Sequence, residues 1–298
     1  MKAFAVTDSI SVIVSTYNNP AALHLVLAGL ARQSRPPAEL LIADDGSGPD
    51  TRALVSHWAE RLPFPLRHIW HPDEGFRKCR ILNRAIAAAS GAYLVFFDGD
   101  CIATRHCLAM HAARAAPNRY VSGGKVLLGA RVSAHLDEDD VARGVLDRFG
   151  WWWWSVQKKR RLIAGSVPWL RSALDRKHRR PPGWRGENAS TWASHVRAVG
   201  GFDERFTYGY EDADFGQRLL LAGVVGCSVR YTAPVYHLHH ARPWRTEPVI
   251  AANKALYDAN RAARVVVTPY GLTPAHQPEA PAASRTSPRP AEREGEAG

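Results

Sequence analysis

The sequence predicts an α/β fold: a mostly parallel central sheet with helices on both faces. Three observations carry this. Apolar, β-branched segments alternate with helix-patterned segments through the first hundred residues. Each such strand runs into a loop rich in Asp, Asn or Gly. No internal repeat is present, and strand–helix alternation implies parallel strands joined by covering helices.

The elements follow in order. "SISVIVSTY" is apolar and β-branched and stops at Tyr17-Asn18-Asn19-Pro20, so it reads as a buried strand and a loop. "PAALHLVLAGLARQ" places Leu23, Val26, Leu27 and Leu30 at helical spacing, with Pro20 suited to a first turn. "ELLIADDGSG" is a second strand, "TRALVSHWAERL" a helix and "LRHIWH" a third strand. "KCRILNRAIAAAS" is a helix whose apolar face is Ile81, Leu82, Ala85, Ile86 and Ala89, and "AYLVFFDGD" is a fourth strand. Open sheets of this kind bind ligands beyond the carboxyl ends of their strands. The residues to watch are therefore Thr16 to Asn18, Asp44 to Ser47, His71 to Arg77, and Asp98 to Asp100.

Composition narrows the class. The 298 residues carry a net charge of +11, which points to anionic partners: nucleic acid, anionic lipid or a phosphorylated substrate. No apolar run reaches the roughly 18 residues of a spanning helix, and "MKAFAVTDSISV" lacks a signal-peptide core, so a cytosolic protein is expected. Cys79, Cys101, Cys107 and Cys227 show no CxxC spacing, which argues against a zinc site. Between Lys158 and Arg185 there are ten Lys or Arg and one acid, Asp175, directly after the run Trp151–Trp154. Tryptophan and basic residues together favour an anionic membrane surface. The same aromatic run could instead wall a binding cleft, or form part of a packed helical insert. Residues 268–298 are rich in Pro, Ala, Glu and Arg and read as a disordered tail.

The chemistry-bearing residues are acidic. Asp98 and Asp100 project to one side of an extended segment across Gly99, a hard-oxygen arrangement suited to Mg2+ or Mn2+, although Asp-Gly-Asp is also a common polar turn. There is no GxxxxGK[ST] and no GxGxxG after the first strand, so a diphosphate would need a metal and side chains such as Arg77, Lys78 or Arg80. Glu211, Asp212 and Asp214 stand in the first turn of "EDADFGQRLLLAG", where the helix dipole favours negative charge. Asp212 aligns with Phe215, Leu219 and Ala222 on the inward stripe, while Asp214 lies four residues before Arg218 and can pair with it. On a strand, His237 and His239 of "VYHLHH" would share a face.

These segments resemble a known family. "SVIVSTYNNPAALHLVLAGLARQSRPPAELLIADDGSG" and "FRKCRILNRAIAAASGAYLVFFDGDC" are similar to the family 2 glycosyltransferases. "GENASTWASHVRAVGGFDERFTYGYEDADFGQRLLLAG" is similar to their acceptor segment and to the galactosyltransferase C-terminal region. The resemblance spans about residues 9 to 242 and implies the GT-A fold, a Rossmann-like α/β architecture. It divides the chain into a domain over residues 1–267 and the tail. That domain holds a donor half (about 9–130), a Trp/basic helical insert (about 140–185) and an acceptor half (about 186–245).

Carried over by position, the resemblance implies an inverting, metal-dependent transfer from a nucleotide sugar, preferably a UDP-sugar, to a glycan hydroxyl. Lipopolysaccharide or another surface glycan, including a lipid-linked one, is the expected setting. Thr16, Asn18 and Asp45 would line the base pocket, with Arg77 and Arg80 available for the diphosphate. Asp98 would lie near the ribose and Asp100 on the metal, Mn2+ or Mg2+, completed by His237 or His239. Asn188 and Asp203 fall in segments that shape the sugar pocket. Asp212 would be the general base and Glu211 would orient the acceptor. One departure stands out: Tyr208-Gly209-Tyr210 occupies the place of the Gly-Trp-Gly of many relatives. Two other readings compete: a nucleic-acid binder, which leaves the acidic loops unexplained, and a catalytically inactive sugar- or nucleotide-binding homologue.

Overall fold

The computed structural model describes residues 9–148, 168–177, 181–241 and 244–273. The tryptophan run Trp151–Trp154 and the basic Lys158–Arg161 lie outside the described residues, as does all but the start of the expected tail.

The first strands form where the apolar runs require. β1 (Ile10–Thr16), β2 (Glu39–Asp44), β3 (Leu66–Trp70) and β4 (Tyr93–Asp98) pair in parallel in the order β3-β2-β1-β4. The connecting helices are α1 (Pro20–Ala31), α2 (Pro49–Arg61) and α3 (Lys78–Ala88). Pro20 opens α1, and the Asn19 carboxamide accepts the Ala22 N–H at 3.2 Å, which caps an otherwise unpaired donor. β1 and β2 are buried throughout, which places apolar layers on both faces of the sheet.

The second half completes the same sheet. β5 (Cys101–Ala103), β6 (Arg119–Gly123), β7 (Lys125–Leu127), β8 (Asn188–Trp192), β9 (Val225–Val229) and β10 (Val235–His237) follow. The central order is β3-β2-β1-β4-β8-β6-β9, with β8 antiparallel to both β4 and β6. A small second sheet, β5-β10-β7, brings the end of β10 beside the residues that follow β4. Leu238 donates its N–H to the Asp100 carbonyl at 2.9 Å, fixing that approach.

The helix Glu211–Leu221 buries Phe215 and Leu219 against the core and Asp214 with them. Asp214 pairs with Arg218 at 2.8 Å, and Arg218 also donates to the Val199 and Gly201 carbonyls. A final helix, Glu247–Ala262, packs against this one and buries Asn253 and Asn260. Residues 268–272, expected in the tail, pack on the domain instead. Thr268 is 4% exposed and donates to Asp203 at 2.9 Å, and Leu272 donates its N–H to the Gly200 carbonyl at 2.8 Å. Composition could not show this, because the anchors are one threonine hydroxyl and a single leucine. Among the described residues, no helix is long and apolar enough to cross a membrane.

Candidate active site

A cavity of about 760 Å3 opens at the carboxyl ends of β1, β2 and β4. This is the switch point of the sheet, where the order leaves β1 in both directions. Its floor carries Thr16, Asp45, Asp98 and Asp100, and its far wall carries Trp184, Glu187, Glu211 and Asp212.

On the floor, Asp45 is held by His71 at 2.7 Å and by the Arg77 backbone N–H at 2.9 Å. Asp98 accepts from the Ser15 hydroxyl at 2.9 Å and from the Lys78 ammonium at 2.6 Å. Burial alone would push the Lys78 pKa down. The carboxylates of Asp98, Asp212 and Glu211 outweigh it and hold the ammonium well above its ordinary value.

Asp100 lies 2.9 Å from His240 Nε2 and 3.7 Å from His237 Nε2. One ligand atom of each residue falls within 4.8 Å of the others. Burial acts to raise the Asp100 pKa, but the His240 hydrogen bond and both imidazoles bring it to about 2. One carboxylate and two imidazoles facing one point make a donor set suited to Mn2+ more than to Mg2+. The stacked His237 and His240 rings, 5.2 Å apart, keep both in place.

The far wall is shaped by two successive left-handed residues, Gly209 (φ 98°) and Tyr210 (φ 69°), directly before the helix Glu211–Leu221. A tyrosine in that region is strained, and such strain persists where surrounding packing enforces it. Here Tyr210 packs on Tyr257, their rings 5.6 Å apart. The turn presents Glu211 and Asp212 to the cavity. The Gly186 N–H donates to Asp212 at 2.9 Å, and a Cβ on Gly186 would stand 2.7 Å from the same carboxylate, so any side chain there would push Asp212 from its place. Burial, then the Glu211 charge, pushes the Asp212 carboxyl up to about 8, against the pull of Lys78. Burial also raises Glu211, opposed by Lys78. The mouth is aromatic: Trp244 meets Tyr17 at 5.3 Å and Phe76 at 6.4 Å, and Phe76 meets Tyr208 at 5.8 Å.

The expected site residues divide. Thr16, Asp45, Asp98, Asp100, Glu211, Asp212 and His237 all line the cavity. Asn18 does not: its carboxamide accepts the Gly48 N–H and its N–H reaches Ser47, so it ties the β1 loop to the β2 loop. The Arg77 guanidinium turns to Glu74 and the Pro72 carbonyl, and Arg80 is exposed on α3. Between them, Lys78 enters the cavity. Asn188 is fully buried and donates to the Gly124 and Ala233 carbonyls while accepting from His111. Asp203 is likewise buried, on Arg205.

His239 is exposed, and among the described residues its backbone N–H bonds to Ser133. The expectation of two-residue alternation fails because β10 ends at His237, so the chain turns and returns His240 to Asp100. Lys125 and Glu187, not anticipated from the sequence, also line the cavity and pair at 3.0 Å.

Comparison with known proteins agrees with this architecture. The profile described as Glycosyl transferase family 2 matches residues 11–161, and that described as N-terminal domain of galactosyltransferase matches residues 174–241. Validoxylamine A glucosyltransferase of Streptomyces hygroscopicus subsp. limoneus is 29% identical over 231 residues, covering 72% of this chain and 48% of that protein. The chain thus spans about half the length of the curated relatives of this kind that it matches. Hyaluronan synthase of Pasteurella multocida is 30% identical over 92 residues, 30% of this chain and 9% of that protein. Among solved structures, mannosyltransferase PcManGT from Pyrobaculum calidifontis, in complex with GDP-Man and Mn2+, shares the fold. Its TM-score is 0.58 at 21% identity, over 88% of this chain and 68% of that one. S. aureus TarS in complex with UDP gives a TM-score of 0.54 at 15% identity, over 90% and 68% of the two chains.

Proposed function

The chain belongs to glycosyl transferase family 2, and from that premise we propose that it transfers a hexosyl group, with inversion, from a nucleotide sugar to a carbohydrate hydroxyl. The observation that carries this reading is one cavity holding two separate acidic centres: Asp100 with His237 and His240, and Glu211 with Asp212.

In this reading Thr16, Tyr17 and Asp45 receive the nucleoside end of the donor, with Asp98 held by Ser15 and Lys78 beside it. Asp100, His237 and His240 would hold Mn2+ or Mg2+, which supplies charge for the departing diphosphate. Asp212 accepts the proton of the attacking hydroxyl, and its raised pKa suits a base working near neutrality. Glu211 orients that hydroxyl, and Tyr208 and Tyr210 offer ring faces to the acceptor. UDP is the preferred nucleotide, with GDP the alternative that the mannosyltransferase fold-relative brings forward.

The test is calorimetry of UDP and GDP with and without Mn2+. Binding of one nucleotide should depend on Mn2+ and weaken by about 10- to 100-fold in His240→Ala, while His239→Ala behaves as wild type. Equal affinity with and without metal, or equal loss in both variants, would remove the metal role of the His237/His240 pair.

A further inference from the structure

We propose that Lys125 and Glu187 read the hydroxyl groups of the transferred sugar and set donor-sugar specificity. This rests on the glycosyl-transfer reading above.

Their placement carries the argument. Lys125 begins β7, which pairs with β10 so that Lys125 faces Val235 and Leu127 faces His237. The pair thus starts from the strand directly beside the one that ends at His237. Glu187 follows Gly186, whose N–H holds Asp212. The 3.0 Å contact between Lys125 and Glu187 therefore spans the cavity from the Asp100 side to the Asp212 side. In an in-line transfer the anomeric carbon lies between the diphosphate oxygen and the attacking hydroxyl. The ring of the transferred sugar must then occupy the space between these two centres, beside this ion pair.

The chemistry fits a neutral pyranose. An ammonium donates, a carboxylate accepts, and together they match two neighbouring hydroxyls, each of which can do both. The paired charges cancel, so the site favours an uncharged hexose over a uronic acid. Stability does not account for the pair, because a partly buried ion pair facing a cavity contributes little to folding. Glu187 is nonetheless only 8% exposed. A buried polar group set to bond a hydroxyl discriminates against an epimer that leaves it unpaired.

The experiment is calorimetry of the full chain with Mn2+, comparing epimers on one nucleotide: UDP-glucose with UDP-galactose, and GDP-mannose with GDP-glucose. Free UDP and GDP are the reference. Wild type should separate the epimers on its preferred nucleotide by about tenfold or more. Glu187→Gln and Lys125→Met should bring that ratio within about twofold and leave free-nucleotide affinity within about twofold. The exchange variant Lys125→Glu/Glu187→Lys keeps an ion pair and should keep nucleotide binding while changing the epimer ratio.

Unchanged ratios in all variants, or no epimer preference in wild type, would overturn the proposal. So would a parallel loss of free-nucleotide affinity, which would mean that the pair positions the metal side. A wild type that binds neither free nucleotide would instead sink the glycosyl-transfer reading itself, and the proposal with it.

Discussion

At Asp212 the fold places a carboxyl group where ionisation is difficult, and the consequence can be measured in two ways. Its pKa is raised from the ordinary carboxylate range, near 4, to about 8. Between those values the native state holds a proton that the unfolded chain has released, so stability falls as pH rises through that window. Asp212→Asn cannot ionise. It should melt at a higher temperature than wild type at pH 9 and at the same temperature at pH 4, while turnover falls by about 100- to 10,000-fold. Because Glu211 is close enough to share the titration, the rising limb of the pH–rate profile belongs to the pair. That limb should lie near pH 8, and a profile flat from pH 6 to 9 would remove Asp212 as the base. Asn188 makes the opposite case: a residue expected at the sugar that the core has absorbed. Gly123 allows this, since a Cβ there would stand 2.1 Å from the Asn188 amide nitrogen. Asn188→Ala removes its hydrogen bonds to the Gly124 and Ala233 carbonyls and to His111, and of the two carbonyls only that of Gly124 keeps a strong second partner, the Val235 N–H. It should cost about 3 kcal/mol in denaturant unfolding, with nucleotide affinity preserved in the fraction that remains folded.

At the scale of elements, legibility in the sequence follows locality. β1, β2 and β4 announce themselves because each is an uninterrupted apolar run ending in turn residues, and Asp45, Asp98 and Asp100 come with them. The roles of Asp212 and Asp214 also separate locally, since Asp214 and Arg218 lie one helical turn apart. His240 and the Lys125–Glu187 pair were not legible. The first depends on where a three-residue strand stops, and the second on the small sheet bringing β7 against the loop that precedes β8. The helix Glu247–Ala262 hides for another reason: its most buried positions are the polar Asn253 and Asn260, which no apolar pattern marks as inward-facing. Those asparagines hold the far wall of the cavity. Asn253 donates to the Tyr208 carbonyl at 2.9 Å and accepts from Thr207, and Asn260 donates to Asp214 at 2.8 Å. Asn253→Ala should loosen the Thr207–Tyr210 turn. The expected result is a rise of about fivefold or more in acceptor KM with nucleotide affinity unchanged; equal effects on both would show that the helix supports the whole cavity.

Across the whole molecule, the cavity floor stands on the ends of β1, β2 and β4, and its far wall on the loop before β8 and the start of the helix Glu211–Leu221. Thr268 and Leu272 fasten the far end of the described chain back onto the loop that precedes that far wall. Truncation after Val267 should therefore lower the melting temperature by several degrees, since loss of about 1 kcal/mol shifts a domain of this size by about 2–4 °C. Truncation after Thr273 retains those contacts and provides the matched control; identical melting of the two would show that the fastening contributes nothing.

The position of β8 has a consequence for how the protein is made. Val95 of β4 and Val121 of β6 both align with Ser190 of β8, so the strand that lies between them is missing until that segment leaves the ribosome. For the time it takes to translate the intervening chain, the nascent protein carries a sheet with a missing slat and two unpaired edges facing the gap. Until β8 fills the gap those edges are open to wrong partners, which places the need for chaperones in that interval.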